Sequence, residues 1–316
     1  MAIGGALESG SGRMSVINPA TGTAFAEAPD ANPADLDRAV ASARMAFPGW
    51  AATPHLERAT KVKALSDAVE QRAADFALLL TREQGKPLAE SRREVLGLAA
   101  WLRAAAGLTL PVSVHEDSAA RYCETRHVPV GVVAAIAPWN YPLLLAAFKI
   151  GPALMTGNCV VLKPSPFTPL TSLKLGELAQ TILPPGVLNV LSGGDDLGPW
   201  LTAHPGVDKI AFTGSTATGK RVMASAANTL KRITLELGGN DPAIVMHDVD
   251  PASLAPELFW SAFGNAGQVC TATKRLYVHA AVYGKVRDAL VEYAAGMRIE
   301  DGAQPDVQIG PVNNLR

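Results

Sequence analysis

Cys270 closes the run Gly264-Asn265-Ala266-Gly267-Gln268-Val269-Cys270. A thiol directly after a Gly-rich turn can be exposed and, as its thiolate, nucleophilic, although a cysteine is more often a buried small hydrophobe. Glu236 sits in Leu235-Glu236-Leu237-Gly238-Gly239-Asn240. A carboxylate flanked by apolar residues is expected to be poorly solvated and so suited to general-base work; a paired strand-end glutamate is the alternative. Asn140 lies in Ala137-Pro138-Trp139-Asn140-Tyr141-Pro142. Its amide is well placed to donate to an oxyanion, while the local sequence alone favours a helix-capping Asn. Two Gly-rich turns, Phe212-Thr213-Gly214-Ser215-Thr216-Ala217-Thr218-Gly219 and Gly193-Gly194-Asp195-Asp196-Leu197-Gly198, end strand-like runs. Backbone N–H groups there suit a phosphate. Thr216 holds the place of the middle glycine of G-x-G-x-x-G, and a plain tight turn explains the segment equally well.

These groups need elements to position them. Asn32-Pro33 starts a helix, and Leu36, Ala39, Val40, Ala43 and Phe47 recur with helical period. Further helices are predicted over 56–71, 73–84 and 88–106, with Gly85 and Pro87 stopping the 73–84 run, and 121–127 alternates like a strand. Beyond 130 the pattern changes. Strands are predicted at 131–137, 158–162, 186–191, 209–212 and 233–237, with helices at 144–155, 170–182, 197–203 and 218–227 between them. That alternation argues for a doubly wound parallel α/β sheet. After Gly239 it restarts, with strands at 243–246 and 275–279 and helices at 254–265 and 282–297, so a domain boundary falls near Gly238-Gly239.

A chain of 316 residues fits about two domains. Its 48% hydrophobic and 18% charged composition, with mean hydropathy +0.14, excludes a disordered or collagen-like chain. Twenty-eight Lys and Arg against 29 Asp and Glu give a net charge of -1, so nothing global points to nucleic acid or an anionic membrane as partner. Three cysteines make no disulfide framework; a reducing compartment, hence the cytoplasm, is expected, and Cys123 and Cys159 read as structural. The Gly- and Ser-rich start, 1–14, shows no secretory signal. The apolar stretch 131–162 carries Pro138, Asn140, Pro142, Lys149 and Pro152, and reads as buried strand, helix and strand rather than a membrane span. No metal site is expected.

Seven short segments occur in a specific order: Asn18-Pro19-Ala20-Thr21-Gly22, Glu83-Gln84-Gly85-Lys86-Pro87, Pro138-Trp139-Asn140, Lys163-Pro164-Ser165, Phe212-Thr213-Gly214-Ser215, Glu236-Leu237-Gly238-Gly239 and Gly267-Gln268-Val269-Cys270. Through them, over nearly its whole length, the sequence resembles the NAD(P)-dependent aldehyde dehydrogenase superfamily. The resemblance implies an α/β fold with a doubly wound parallel Rossmann-like sheet and the start of a second α/β catalytic domain. It divides the chain into a dinucleotide-binding domain (1–110 and 130–237), an oligomerisation hairpin (111–129) and the N-terminal part of a catalytic domain (238–316). Cys270 would be the nucleophile that forms a thiohemiacetal and then a thioester. Asn140 and the Cys270 N–H would hold the oxyanion, and Glu236 would activate the hydrolytic water. Lys149 matches a proton-relay lysine; a surface or capping Lys is its alternative.

For the cofactor, the resemblance assigns Lys163 to the adenosine ribose with Ser165 beside it. Phe212, Gly214 and Ser215 fall on the pyrophosphate side, Gly194 and Gly198 on the adenine side, and Ile136, Pro138 and Trp139 form the wall near the nicotinamide, with Leu237 also among the cofactor-binding residues. Many NAD-preferring members carry Glu three residues after that lysine, where this chain has Pro166. NAD is therefore expected, with NADP open. Tyr141, Leu145 and Phe148 match the aldehyde tunnel and imply an apolar or mixed pocket for an aliphatic or aromatic aldehyde. The segment 163–169 is similar to that of members acting on aminoaldehydes. Members continue past this point to a Glu-x-Phe-Gly-Pro motif and a C-terminal strand that completes the oligomer, so the chain is expected to be truncated after Arg316, its two-stranded remnant unstable or sticky. A complete chain would be a homodimer or homotetramer. Two other readings stay open: an inactive relative that at most binds the dinucleotide, and a cofactor-independent thiol esterase using Cys270, Asn140 and Glu236.

Overall fold

The computed structural model describes residues 1–315; Arg316, where the break is expected, lies outside the described residues. Strands β1 (Ala2–Ile3) and β2 (Ala6–Leu7) open the chain, and β3 (Gly12–Asn18) pairs with β4 (Thr23–Asp30) as an antiparallel hairpin. Sequence alone predicts no strand before residue 32. The first two are two residues long and each hairpin strand buries a single residue, so neither carries the apolar run that marks a strand.

Helix α1 (Pro33–Ala52) starts on a full capping box: the Asp35 N–H donates to the Asn32 side chain, and the Asn32 N–H donates to the Asp35 carboxylate. Helices α2 (His55–Gln71), α3 (Ala73–Gln84) and α4 (Leu88–Ala106) follow the predicted spans within a residue. Gly85 ends α3 at φ 102°, a left-handed cap that only glycine adopts cheaply. Strands β5 (Ser113–Asp117) and β6 (Tyr122–Thr125) then form an exposed hairpin. Cys123 lies exposed on it, which corrects the structural reading of that thiol: a two-stranded hairpin has no interior to place it in. Cys159 is buried, and burial pushes its thiol up to about 12.

The main sheet is built by β7 (Val132–Ile136), α5 (Pro142–Met155), β8 (Cys159–Lys163), α6 (Leu170–Gln180), β9 (Leu188–Val190), α7 (Leu197–Ala203), β10 (Lys209–Gly214), α8 (Thr216–Ala227) and β11 (Arg232–Leu237). Strand order is β11-β10-β7-β8-β9-β1-β2, parallel from β11 to β9 and antiparallel over β1 and β2. Every residue of β7 and β8 is buried, as central parallel strands require. From β7 the chain winds toward β8 on one side and returns to β10 on the other, so the crevice beyond the carboxyl ends of β7 and β10 is a topological switch point. Asn140 follows one of these strands and Gly214 ends the other. The chain then forms a separate unit: β12 (Asp241–Val245), α9 (Pro251–Phe263), β13 (Thr273–Val278) and α10 (Tyr283–Ala295). Its two parallel strands pack through a small core of Val245, Leu258 and Val286. Among the described residues, no helix is long and apolar enough to cross a membrane.

Gly131, at the entry to β7, has φ +129°, and a Cβ there would lie 1.9 Å from Asp208 Oδ2, the carboxylate oxygen that accepts the Val132 N–H. Gly131→Ala is therefore expected to cost on the order of 3 kcal/mol through backbone strain and displacement of Asp208, read as a lowered urea midpoint. An unchanged midpoint would show that this corner relaxes freely.

Candidate active site

Three consecutive residues before Cys270 take left-handed backbone: Asn265 (φ 51°), Ala266 (φ 56°) and Gly267 (φ 77°). Two of them are not glycine, so the turn is strained and held by its surroundings. The Asn265 side chain donates to Asn140 O at 3.0 Å, and Gln268 Nε2 donates to Asn265 O at 2.8 Å. The Cys270 carbonyl accepts the Gly239 N–H at 3.2 Å, which joins the turn after Glu236 to the residue bearing the thiol. Cys270 itself is exposed, so its reading as a buried hydrophobe fails.

Asn140 does not cap α5; the cap position is Tyr141, without a side-chain bond. Instead Asn140 Nδ2 donates to Gln268 O at 2.7 Å, two residues before the cysteine. An amide NH2 has two donor hydrogens, so one remains for a second acceptor. Lys149 is buried and donates to Thr213 Oγ1 at 2.5 Å, excluding a surface or capping role. Burial lowers its ammonium to about 8, against a smaller raising influence of Glu236.

Glu236 is exposed, which corrects the expectation of poor solvation. β11 is the edge strand of the sheet, and its alternating residues face open space rather than an opposing layer. Glu236, Lys149, Thr213 and Cys270 nonetheless line one cavity of about 750 Å³, together with Leu145 and Phe148. Tyr141 is not part of that lining. Its ring lies 3.7 Å from Lys86 Nζ, and burial pushes its hydroxyl up to about 12.

On the cofactor side, the Lys163 ammonium is buried, with a bond of 3.2 Å to Pro164 O, and burial lowers it to about 8 against the nearby Asp195. A buried cation at a strand end calls for an electron-rich partner. Gly198 leaves room beside it: a Cβ there would lie 3.9 Å from Lys163 Cε. Pro166, Gly194 and Asp195 line a cavity of about 330 Å³ next to this lysine. Gly194 N–H is already bonded to Asp30 Oδ1 at 3.0 Å, so that amide is not offered to a ligand. Ser165 is buried, and its Oγ accepts the Phe167 N–H, shaping the turn after Lys163. Ser215 caps α8 by accepting the Thr218 N–H, and the Phe212 ring is buried beneath Gly214, where a Cβ would meet it at 2.5 Å. Leu237 packs on Gly219, and Ile136 is buried, with Pro138 and Trp139 half-buried at the switch point. The buried ammonium at a strand end and the start of α8 beyond it fit a dinucleotide.

Glu83 carries no local sequence signal of a functional position. It is fully buried and accepts the Leu170 N–H (2.7 Å), the Thr171 N–H (3.0 Å) and the Thr171 hydroxyl, holding the start of α6 just beyond Lys163-Pro164-Ser165. Burial outweighs those bonds and raises its carboxyl to about 7. Because the folded value lies above the ordinary one, the folded chain binds more protons between about pH 4.5 and 7, and this group's contribution to stability falls as pH rises through that window. Glu83→Gln is expected to remove a fall on the order of 3 kcal/mol between pH 5 and pH 8, seen as a flatter denaturation midpoint against pH. An unaltered slope would place that titration elsewhere.

The aldehyde dehydrogenase family pattern matches residues 7–316, and the chain belongs to that family. A probable aldehyde dehydrogenase of a Pseudomonas species is 45% identical over 316 residues, spanning 100% of this chain and 65% of the relative. A betaine aldehyde dehydrogenase from Staphylococcus aureus, solved in complex with NAD+, superposes with TM-score 0.95 at 32% identity, covering 99% of this chain and 64% of that one. An NADP-dependent enzyme of E. coli gives TM-score 0.96 at 36% identity, covering 99% and 66%. The chain thus spans about two thirds of the length of the relatives it matches.

Proposed function

We propose that this chain carries the nucleophile and dinucleotide-binding parts of an enzyme that oxidises an aldehyde to a carboxylic acid with NAD+, NADP+ being the second candidate. The observation that carries this reading is the meeting of Cys270, Glu236 and Lys149 in one cavity, with Asn140 bonded two residues from the thiol. The Cys270 thiolate attacks the aldehyde carbon, and the Asn140 amide with the Cys270 N–H stabilises the alkoxide of the thiohemiacetal. When bound, the nicotinamide ring supplies the hydride acceptor. Lys163, Ser165 and the 212–215 turn hold and orient the dinucleotide, with Ile136, Pro138, Trp139 and Leu237 around its reactive end. A thioester on Cys270 remains, and Glu236 takes the proton of the water that hydrolyses it. Lys149, whose neutral amine is accessible near pH 8, accepts or returns a proton through Thr213.

Leu145 and Phe148 support an aliphatic or aromatic aldehyde. The NAD+ complex and the NADP-dependent relative support either dinucleotide, and Pro166 puts no carboxylate three residues after Lys163, although Asp195 lines the same cavity. In the same reading residues 1–110 and 130–237 form the dinucleotide-binding domain, 111–129 the oligomerisation hairpin of a cytoplasmic homo-oligomer, and 238–316 part of the catalytic domain. A second reading, dinucleotide binding without turnover, is favoured by the solvent exposure of Glu236. The deciding experiment mixes the purified chain with an aromatic aldehyde and NAD+ or NADP+ and measures carboxylic acid and reduced dinucleotide together. Equal amounts of both support oxidation; binding with neither product supports the second reading.

A further inference from the structure

The segment Glu83-Gln84-Gly85-Lys86-Pro87 marks the family, yet no step above uses it. Lys86 and Glu94 form an ion pair at 2.5 Å whose side chains are 0% and 1% exposed. A buried pair rarely repays its desolvation, so such a pair invites a reason beyond stability. Its other contacts converge on one loop. Lys86 Nζ donates to Asn140 O at 2.8 Å and lies 3.7 Å from the centre of the Tyr141 ring. Glu94 Oε1 accepts the N–H groups of Leu143 (2.9 Å) and Leu144 (3.2 Å), the first turn of α5. Asn140 O also receives the Asn265 amide, and the Asn140 amide is given to Gln268 O. Backbone and side chain of Asn140 are thus fixed from opposite sides, by the ion pair and by the cysteine loop.

We propose that Lys86, held by Glu94, is a positioning residue that aims the Asn140 amide at the oxyanion forming on Cys270. The inference rests on the proposed role of Asn140 and Cys270, so its test avoids both dinucleotide and aldehyde. Two reactions of the same thiol separate positioning from general damage. In acylation by p-nitrophenyl acetate, the thiolate adds to the carbonyl, an oxyanion forms, and p-nitrophenolate leaves. In alkylation by iodoacetamide, the thiolate displaces iodide and no oxyanion forms. Removing Lys86 alone strands a buried carboxylate, so the variant read is Lys86→Met/Glu94→Gln, which buries no charge and keeps an acceptor for the Leu143 and Leu144 N–H groups.

Acylation of Cys270 in this variant is expected to fall roughly 10²-fold, because misaiming one donor by about an ångström costs that much. Alkylation, followed by mass spectrometry with exposed Cys123 as internal reference, is expected to stay within about twofold. Against an Asn140→Ala background the same pair of changes should add almost nothing, since a residue that acts through another has no effect once that other is gone. Parent-like acylation, a matched fall in both reactions, or a full additional fall in the Asn140→Ala background would each overturn the proposal. A parent chain that acylates but does not oxidise aldehyde defeats the oxidation reading and leaves this one standing.

Discussion

Cys270→Ala is expected to reduce aldehyde oxidation by at least about 10³-fold, with the dinucleotide still bound. Hydride leaves readily only from a carbon that carries an alkoxide, and the thiolate is what creates that alkoxide from a planar carbonyl. The substitution costs little else. Cys270 is exposed, so no core cavity opens, and the denaturation midpoint should stay within about 0.5 kcal/mol of the parent. Acid formation by the purified variant, compared with the parent in the same assay, is the measurement. Oxidation within tenfold of the parent would mean that another group carries the chemistry.

Glu236→Gln should leave the first turnover and remove the rest. Glutamine has nearly the same shape but takes no proton from water, so thioester on Cys270 accumulates. The expected trace is one equivalent of reduced dinucleotide per site, then a steady rate lower by about 10²- to 10³-fold. The acyl group on the Cys270 peptide is visible by mass. Exposure of Glu236 sharpens the experiment, because the substitution disturbs no packing. A steady rate equal to the parent would pass the water-activating role to another group in the cavity, with Lys149, whose lowered value near 8 suits it, the first candidate.

Much of the scaffold was legible because its signals are local. Asn32-Pro33, Gly85-Pro87 and the apolar runs at 131–137 and 158–162 each carry their physics within a few residues: a cap, a left-handed stop, a strand buried on both faces. β1 and β2 were invisible because two-residue strands gain their identity only from the sheet edge they join. Glu236 departs from its sequence expectation for a related reason. Apolar neighbours at 235 and 237 say that the strand is half-buried, but solvation depends on what faces the other side, and at an edge strand nothing printed in the segment decides that. Asn140 shows the same limit. Its local setting reads as a helix cap, and the partner of its side chain, Gln268 O, lies 128 residues away. The left-handed Ala266 has no sequence signal, because alanine does not seek that conformation; the loop imposes it.

Asn313 bears on when, during synthesis, the site comes into being. Its amide donates to the carbonyls of Glu83 and Gln84, and its N–H donates to the side chain of Gln268. The turn carrying Lys86 and the loop carrying Cys270 are therefore latched together by a residue made some 230 positions after the first of them. A ribosome releases the sheet of β7 to β10 well before that latch, so the nascent chain can bury its core before the Asn313 contacts form. Closure must wait for a contact of very long sequence separation, among the slowest to find. In the newly made chain the Lys86 turn and the thiol loop are accordingly joined through Asn313 only after the sheet beneath them has been synthesised.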